Sequence, residues 1–189
     1  MIPVLFGAVC CAAVLFLVVA VRDSNRFVTV EYSIPCREVK KEYRFVLLSD
    51  LHNKEYGKGN RKLLEAVNAL KPESVLIAGD MLTSSSSGNL RPAWELVEKL
   101  AAARPVYYAE GNHEYRMKTD PARYGGRYGE YREKLTDAGV VFLANESVLL
   151  PGTGIRIHGL ELDRRYYKKG RKTAMDPDCL EKLLGPAAA

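Results

Sequence analysis

The chain begins with one long apolar run and continues with short apolar runs that alternate with amphipathic segments. Residues 2–21 include no charged side chain, and a helix of these 20 residues would be about 30 Å long, which matches the hydrocarbon core of a bilayer. A cleaved signal peptide is the alternative, but the run lacks that peptide's basic start, shorter apolar core and small-residue cleavage site. We therefore predict an uncleaved single-pass membrane anchor over residues 1–22, in contact with membrane lipid.

The segment after this anchor, residues 23–41, is predicted to be a linker with an edge strand. Its residues 27–34 are rich in β-branched and aromatic side chains and are followed by Pro35, which is typical of a strand at the edge of a sheet. The positive-inside rule favours a cytoplasmic domain, because several basic residues follow the apolar run. Signal-anchored proteins of this shape also face outward, so the side of the membrane stays open. The basic residues are Arg22, Arg26, Arg37, Lys40 and Lys41.

Residues 42–189 are predicted to form one α/β domain. Two short apolar runs, 45–48 and 74–78, indicate strands that are buried on both faces. A helix is predicted between them, with Asn60 as its cap and Pro72 as its stop. The apolar residues at helical spacing in this segment are Leu63, Leu64, Val67 and Leu70.

The second half of the domain continues the alternation. A helix is predicted to begin at Pro92, a third strand to lie within residues 105–114, a further helix to occupy 128–138 and a fourth strand 140–145. Residues 148–160 then indicate a hairpin around a turn rich in glycine and proline. Strands and helices in this alternation predict a mostly parallel sheet with right-handed crossovers.

Charge and cysteine content add few constraints. The net charge is +5, and much of the excess falls in residues 164–172, which we expect to be a solvated loop rather than a site for a phosphate or a lipid head group. Because the excess is small and local, a nucleic-acid partner is not expected. The cysteines predict no disulfide framework, since two lie in the apolar run and two stand far apart. They are Cys10, Cys11, Cys36 and Cys179.

Polar side chains that bind metals follow three of the predicted strands. Asp50 and His52 follow the first strand, Asp80 the second, and Asn112 and His113 the third. The carboxyl ends of parallel strands share one edge of a sheet, so these side chains are expected to converge. Residues two apart on an extended backbone project to one side, which would let the first pair face one ion. Carboxylate, imidazole and amide donors without a thiolate favour Mn²⁺, Fe or Zn²⁺.

The segments DLH, GDML and GNHE occur in this order, each after an apolar strand. As a set they resemble the signature blocks of the calcineurin-like metallophosphoesterases, and the resemblance covers residues 43–163, including HGLELD at 158–163. It implies a sandwich of mixed β-sheets flanked by helices. It also implies hydrolysis of a phosphomonoester or phosphodiester by water at a centre of two divalent metal ions, without a covalent enzyme intermediate.

The resemblance implies a role for each candidate residue. Asp50 and His52 would bind the first ion, Asp80 would bridge the two ions, and Asn112 would bind the second. His113 would protonate the leaving oxygen. The identity of the substrate stays open, because selectivity depends on loops that a hydrophobic pattern does not define.

The family's later metal-binding histidines, one isolated and two in a GHxH block, have no counterpart in this sequence. The three histidines are His52, His113 and His158, and His158 lies within a predicted strand, where a structural or surface role is expected. The sandwich is therefore expected to be incomplete at the C-terminus and metal binding to be weakened. The alternative function is an inactive relative that serves as a membrane-tethered binding module, or a non-functional fragment.

Overall fold

The first part of the chain consists of one helix and an extended tail. The computed structural model describes residues 2–39, 41–167, 170 and 173–185. The chain forms two compact units, the first of which ends at Pro35. Helix α1 spans Ile2–Ser24, and the side chains of Ser24 and Asn25 end it by donating to the Val21 carbonyl oxygen (3.0 and 2.8 Å).

The predicted anchor over residues 1–22 falls on α1. Within this helix, the side chains that the structure describes are those of residue 7 and residues 10–24. Over the described part of the chain, no helix combines the length and the apolar character that crossing a membrane requires. The anchor over residues 1–22 stays a prediction.

The predicted edge strand over residues 27–34 is not formed. This segment has no regular secondary structure, and the side chains of Tyr32 and Ile34 are 84% and 86% exposed. β-Branched and aromatic residues favour strands where a neighbouring strand supplies hydrogen bonds and a packing surface. Among the described residues no strand pairs with this segment, so the strand propensity of its residues does not lead to a strand.

The second unit is built on a parallel sheet, as the alternation of strands and helices predicts. Its strand order is β1-β2-β3-β4, and every neighbouring pair is parallel. The strands are β1 Phe45–Leu48, β2 Ser74–Ala78, β3 Val106–Ala109 and β4 Val141–Phe142. The helices are α2 Arg61–Ala69, α3 Arg91–Ala101, α4 Asn112–Thr119, α5 Pro121–Tyr124, α6 Arg127–Asp137 and, near the end of the chain, α7 Cys179–Leu184.

Helices cover one face of this sheet. Val75, Ile77 and Tyr108 alternate along β2 and β3 and are at most 2% exposed, and Tyr108 lies against Tyr131 of α6. By contrast, Leu47 on β1 is 65% exposed, which corrects the prediction that this strand is buried on both faces. The physical reason is that β1 is an edge strand, and its outer positions lack the cover that β2 and β3 receive.

The other face of the sheet packs on a hairpin. Strands β5 Glu146–Leu149 and β6 Arg156–Gly159 pair in antiparallel fashion, and Leu150 joins Tyr107 and Leu143 in a small core. The predicted hairpin is thus confirmed. His158 is exposed on β6 opposite Ser147.

The structure confirms the third strand and corrects the first helix cap. The third strand does lie within residues 105–114, as β3, but it ends at Ala109 and α4 already begins at Asn112. Asn60 precedes α2 but makes no side-chain cap to it; its amide oxygen instead accepts from the backbone N–H of Tyr56 (2.9 Å). The basic stretch 164–172 begins with a 3₁₀ turn, Arg164–Tyr167, and continues partly outside the described residues.

Candidate active site

The carboxyl ends of β1, β2 and β3 bring the predicted site residues to one edge of the sheet. The loop after β1 is bonded to the loop after β2, since the backbone N–H groups of Asp50 and His52 donate to the carbonyl oxygens of Gly79 and Asp80 (3.2 and 3.0 Å). The loop after β3 leads directly into α4 at Asn112. The arrangement follows from the parallel order of the three strands.

Three of these residues have a left-handed backbone, with φ of 57° at Asp50, 51° at His52 and 53° at Asp80. This corrects the expectation that the first pair sits on an extended backbone. The two side chains nevertheless approach each other, with His52 Nε2 3.7 Å from Asp50 Oδ1. Positive φ is uncommon for residues other than glycine and clusters at functional sites.

Two glycines allow the loops after β2 and β3 to touch. A Cβ atom on Gly79 would lie 2.3 Å from the Gly111 Cα, and one on Gly111 would lie 2.3 Å from Asp80 Oδ1. Both distances are shorter than any real contact, so these positions exclude every side chain. The close approach places the Asp80 carboxylate directly over the start of α4.

His52, Asp80 and His113 form a group of potential metal donors, one atom from each lying within 4.8 Å of the others. The two imidazole rings meet edge to face, with their centroids 4.8 Å apart, and Asp80 is only 7% exposed. Asp50 contacts His52 but stands outside this group. Its side chain is 69% exposed, and its carboxylate accepts a hydrogen bond from Ser49 Oγ (2.6 Å).

Both oxygens of the Asp80 carboxylate are oriented by α4. Oδ1 accepts from the backbone N–H of His113 (2.8 Å) and Oδ2 from the amide nitrogen of Asn112 (2.6 Å). The amide oxygen of Asn112 accepts from Arg116 Nη2 (3.2 Å). The amide orientation is therefore defined, because a flip would turn its NH₂ group toward the guanidinium and its oxygen toward the carboxylate.

The site offers a set of donors for a divalent ion. Asp50, His52 and Asp80 offer carboxylate and imidazole donors of the kind that Mn²⁺, Fe and Zn²⁺ accept. At the second predicted position, between Asp80 and Asn112, the amide oxygen of Asn112 accepts from Arg116 and its NH₂ group faces Asp80. His158, which lies on the exposed side of β6, is not part of the donor group.

The environment of His113 defines which of its nitrogens carries hydrogen. The backbone N–H of Ser84 donates to His113 Nδ1 (2.8 Å), and a backbone amide cannot accept in return. In the neutral ring the hydrogen is therefore on Nε2. A protonated Nε2 is a proton donor and not a metal ligand, which distinguishes His113 from His52 and Asp80 within the same cluster.

Glu114 is the buried anchor of the site. Its side chain is inaccessible to solvent, and five groups donate to its carboxylate: Asp80 N and Gly111 N to Oε2, and Met81 N, Leu82 N and Tyr108 Oη to Oε1. Burial raises the pKa of the Glu114 carboxyl above its ordinary value, and the donors that favour the ionised form limit this rise. The carboxylate joins the loop after β2 to α4.

Sequence reasoning assigned no role to Ser84, Glu114 or Arg116. A signal for Glu114 is available, because a glutamate at the third position of a helix can accept from the amide that precedes the helix, and Gly111 N does donate to it (3.2 Å). Arg116 lies one turn after Asn112, on the same side of α4. Ser84 belongs to a serine-rich loop whose conformation no sequence pattern defines.

Two known proteins share part of this sequence. A Danio rerio protein named "Transmembrane protein with metallophosphoesterase domain" is 35% identical over 91 residues, which are 46% of this chain and 21% of that protein. A Caenorhabditis elegans protein whose name describes it as a metallophosphoesterase is 42% identical over 71 residues, 36% of this chain and 14% of that protein. The chain thus spans less than a quarter of the length of either relative.

The strongest match is at the level of the family. The model of the calcineurin-like phosphoesterase domain matches residues 43–184, which is most of the chain and extends past Asp163, where the resemblance in the sequence motifs ends. This range includes the strands, the three strand-end loops and the donor group described above. The chain therefore belongs to the calcineurin-like phosphoesterase family.

Proposed function

We propose that this domain hydrolyses phosphoesters in a metal-dependent reaction at the edge formed by β1, β2 and β3. The observation that carries the proposal is the cluster of His52, Asp80 and His113, with donor atoms within 4.8 Å of one another, in a chain of a phosphoesterase family.

Asp50, His52 and Asp80 would hold the divalent ion. A bound ion would supply positive charge that neutralises phosphoryl oxygens and lowers the pKa of water. The protein prepares Asp80 for this role, because two hydrogen bonds from α4 orient both of its oxygens. Asp50 is more exposed and would turn toward the ion when the ion binds.

His113 would supply the proton that the leaving group requires. In hydrolysis the oxygen of water forms a bond to phosphorus, the bond from phosphorus to the leaving oxygen breaks, and that oxygen takes a proton. Ser84 N–H occupies Nδ1, so His113 offers its Nε2–H group to the leaving oxygen. Because the ring is neutral, this transfer would be coupled to uptake of the proton that the attacking water releases.

Turnover of bis-p-nitrophenyl phosphate and p-nitrophenyl phosphate by the full chain, titrated with Mn²⁺, tests the proposal. We expect metal-dependent hydrolysis that falls about 100-fold or more in Asp80→Asn, because that change removes the central carboxylate charge. Asp137→Asn, at the exposed end of α6, is the matched control and should retain full activity. Mn²⁺ binding without turnover of either ester would reject hydrolysis and favour an inactive binding module.

A further inference from the structure

We propose that Arg116 takes the place of the second metal ion, so that the site holds one divalent ion and one guanidinium, which together bind the phosphoryl group. This inference rests on the proposed function and concerns how the positive charge of the site is supplied. It departs from the two-ion centre that the sequence motifs imply.

A second ion would need the amide oxygen of Asn112 as a ligand. Asn112 Oδ1 accepts from Arg116 Nη2 (3.2 Å), and the amide NH₂ of Asn112 donates to Asp80 Oδ2 (2.6 Å). A cation bound between Asp80 and Asn112 would face that NH₂ group. The guanidinium supplies positive charge on the other side of that amide, next to its oxygen.

Arg116 differs from the neighbouring basic residues in the groups that it contacts. Its guanidinium contacts only neutral acceptors, Asn112 Oδ1 and Ser84 Oγ (3.2 and 3.1 Å), and among the described residues no carboxylate lies within salt-bridge distance of it. The neighbouring basic residues of this region are paired differently, since both Lys118 and Arg132 contact Glu110. A partly buried cation without an anionic partner is stabilised by an anion that arrives from solution.

The guanidinium of Arg116 also lies close to His113. Arg116 reaches Ser84 Oγ, which is 3.0 Å from His113 Nδ1, so the guanidinium lies beside the proposed proton donor. Two of its five N–H donors are used in these contacts, and a planar guanidinium binds phosphate oxygens through its remaining donors. A phosphoryl group between Asp80 and His113 would therefore meet both the ion and Arg116.

The test is metal and phosphate binding by the full chain, measured apart from turnover. Calorimetric titration with Mn²⁺ should give one ion per chain, and the electron paramagnetic resonance spectrum should be that of an isolated Mn²⁺ ion. With Mn²⁺ bound, inorganic phosphate should bind about 10- to 100-fold more weakly to Arg116→Gln than to the wild type, because a charged hydrogen-bond donor is lost. The Mn²⁺ affinity of this variant should be unchanged.

Two further variants separate binding from a structural role. Arg116→Lys keeps the charge without the planar fork and should recover part of the phosphate affinity, whereas a purely structural arginine would not be rescued in this way. Arg61→Gln, on the exposed face of α2 and paired there with Glu65 (3.3 Å), is the matched control and should bind phosphate like the wild type.

The outcomes distinguish this inference from the proposed function. A spin-coupled pair of Mn²⁺ ions in the wild type, or unchanged phosphate affinity in Arg116→Gln, would overturn the role of Arg116 and leave metal-dependent hydrolysis standing. Absence of any Mn²⁺ binding would instead reject the proposed function, and the inference with it.

Discussion

At the scale of single residues, the site depends on side chains that have no reactive role of their own. Glu114 accepts five hydrogen bonds in a fully buried position, and Ser84 determines the tautomer of His113 through its backbone N–H. Such contacts orient donors before a ligand arrives, which is what a site of fixed geometry requires. The ligands themselves account for only part of the chemistry.

Replacing Glu114 by Gln should destabilise the domain. Gln has a single acceptor oxygen, so the donors at one side of the group would face an NH₂ group and remain unsatisfied. We expect a loss of about 2–4 kcal/mol in the free energy of unfolding, measured by urea denaturation with circular dichroism. Glu130→Gln, on the exposed face of α6, should change stability by less than about 0.5 kcal/mol. Equal stability of the two variants would contradict the anchoring role of Glu114.

At the scale of elements, α6 and β3 share a buried cluster of tyrosines. Tyr131 is 1% exposed and its hydroxyl lies 3.1 Å from that of Tyr108 on β3. Tyr128, one turn earlier, donates to Glu110. Burial raises the pKa of Tyr108, Tyr128 and Tyr131 above the ordinary tyrosine value. The helix is thereby tied to the strand that leads into the site.

The domain should therefore lose stability in alkaline solution. A raised pKa in the folded state means that the stabilisation is complete below the unfolded value of about 10 and falls as the pH rises above it. Each buried tyrosine contributes about 1.4 kcal/mol per pH unit to this loss. Urea unfolding at pH values from about 9 to about 11 should give a shallower dependence of stability on pH for Tyr131→Phe than for the wild type.

A control for this slope is Tyr32→Phe. Tyr32 is 84% exposed, so its ring meets solvent in both folded and unfolded chains, and the substitution should leave the alkaline slope unchanged. Identical slopes for Tyr131→Phe and the wild type would show that ionisation of Tyr131 does not contribute to the alkaline loss of stability.

At the scale of the whole domain, Lys118 links the sheet to the segment after the hairpin. Its ammonium contacts Glu110 (2.9 Å), which follows β3, and Glu161 (2.6 Å), which follows β6. Burial acts to raise the pKa of Glu110, but hydrogen bonds from Glu161, Tyr128 and Lys118 hold this pKa below its ordinary value. The site edge is thus part of one connected body of strands, helix and hairpin.

A divalent ion should stabilise the domain as a unit, because the proposed ligands come from the loops after β1 and β2. A ligand that binds only the folded state, present at about 100 times its dissociation constant, adds about 2.7 kcal/mol. We expect the melting temperature of the full chain to rise by roughly 5–10 °C with Mn²⁺, as recorded by circular dichroism. Asp80→Asn should abolish this rise and Asp137→Asn should retain it; a rise that survives in Asp80→Asn would place the ion elsewhere.

The sequence by itself determined the parallel sheet, the hairpin and the residues that meet at the sheet edge. Apolar periodicity is a local property that can be read directly from the sequence. The strand order β1-β2-β3 then brings Asp50, His52, Asp80 and His113 to the same edge. The strand predicted over 27–34 was wrong because strand formation needs a partner that no local pattern provides.

Only the tertiary structure decided how these residues are arranged. The left-handed backbone at Asp50 and His52, the tautomer of His113 and the contact of Arg116 with Ser84 depend on groups that are far apart along the chain or that lie in loops. Such contacts arise from the packing of loops on one another, and periodicity records only which residues are buried. The metal count that we infer follows from this packing.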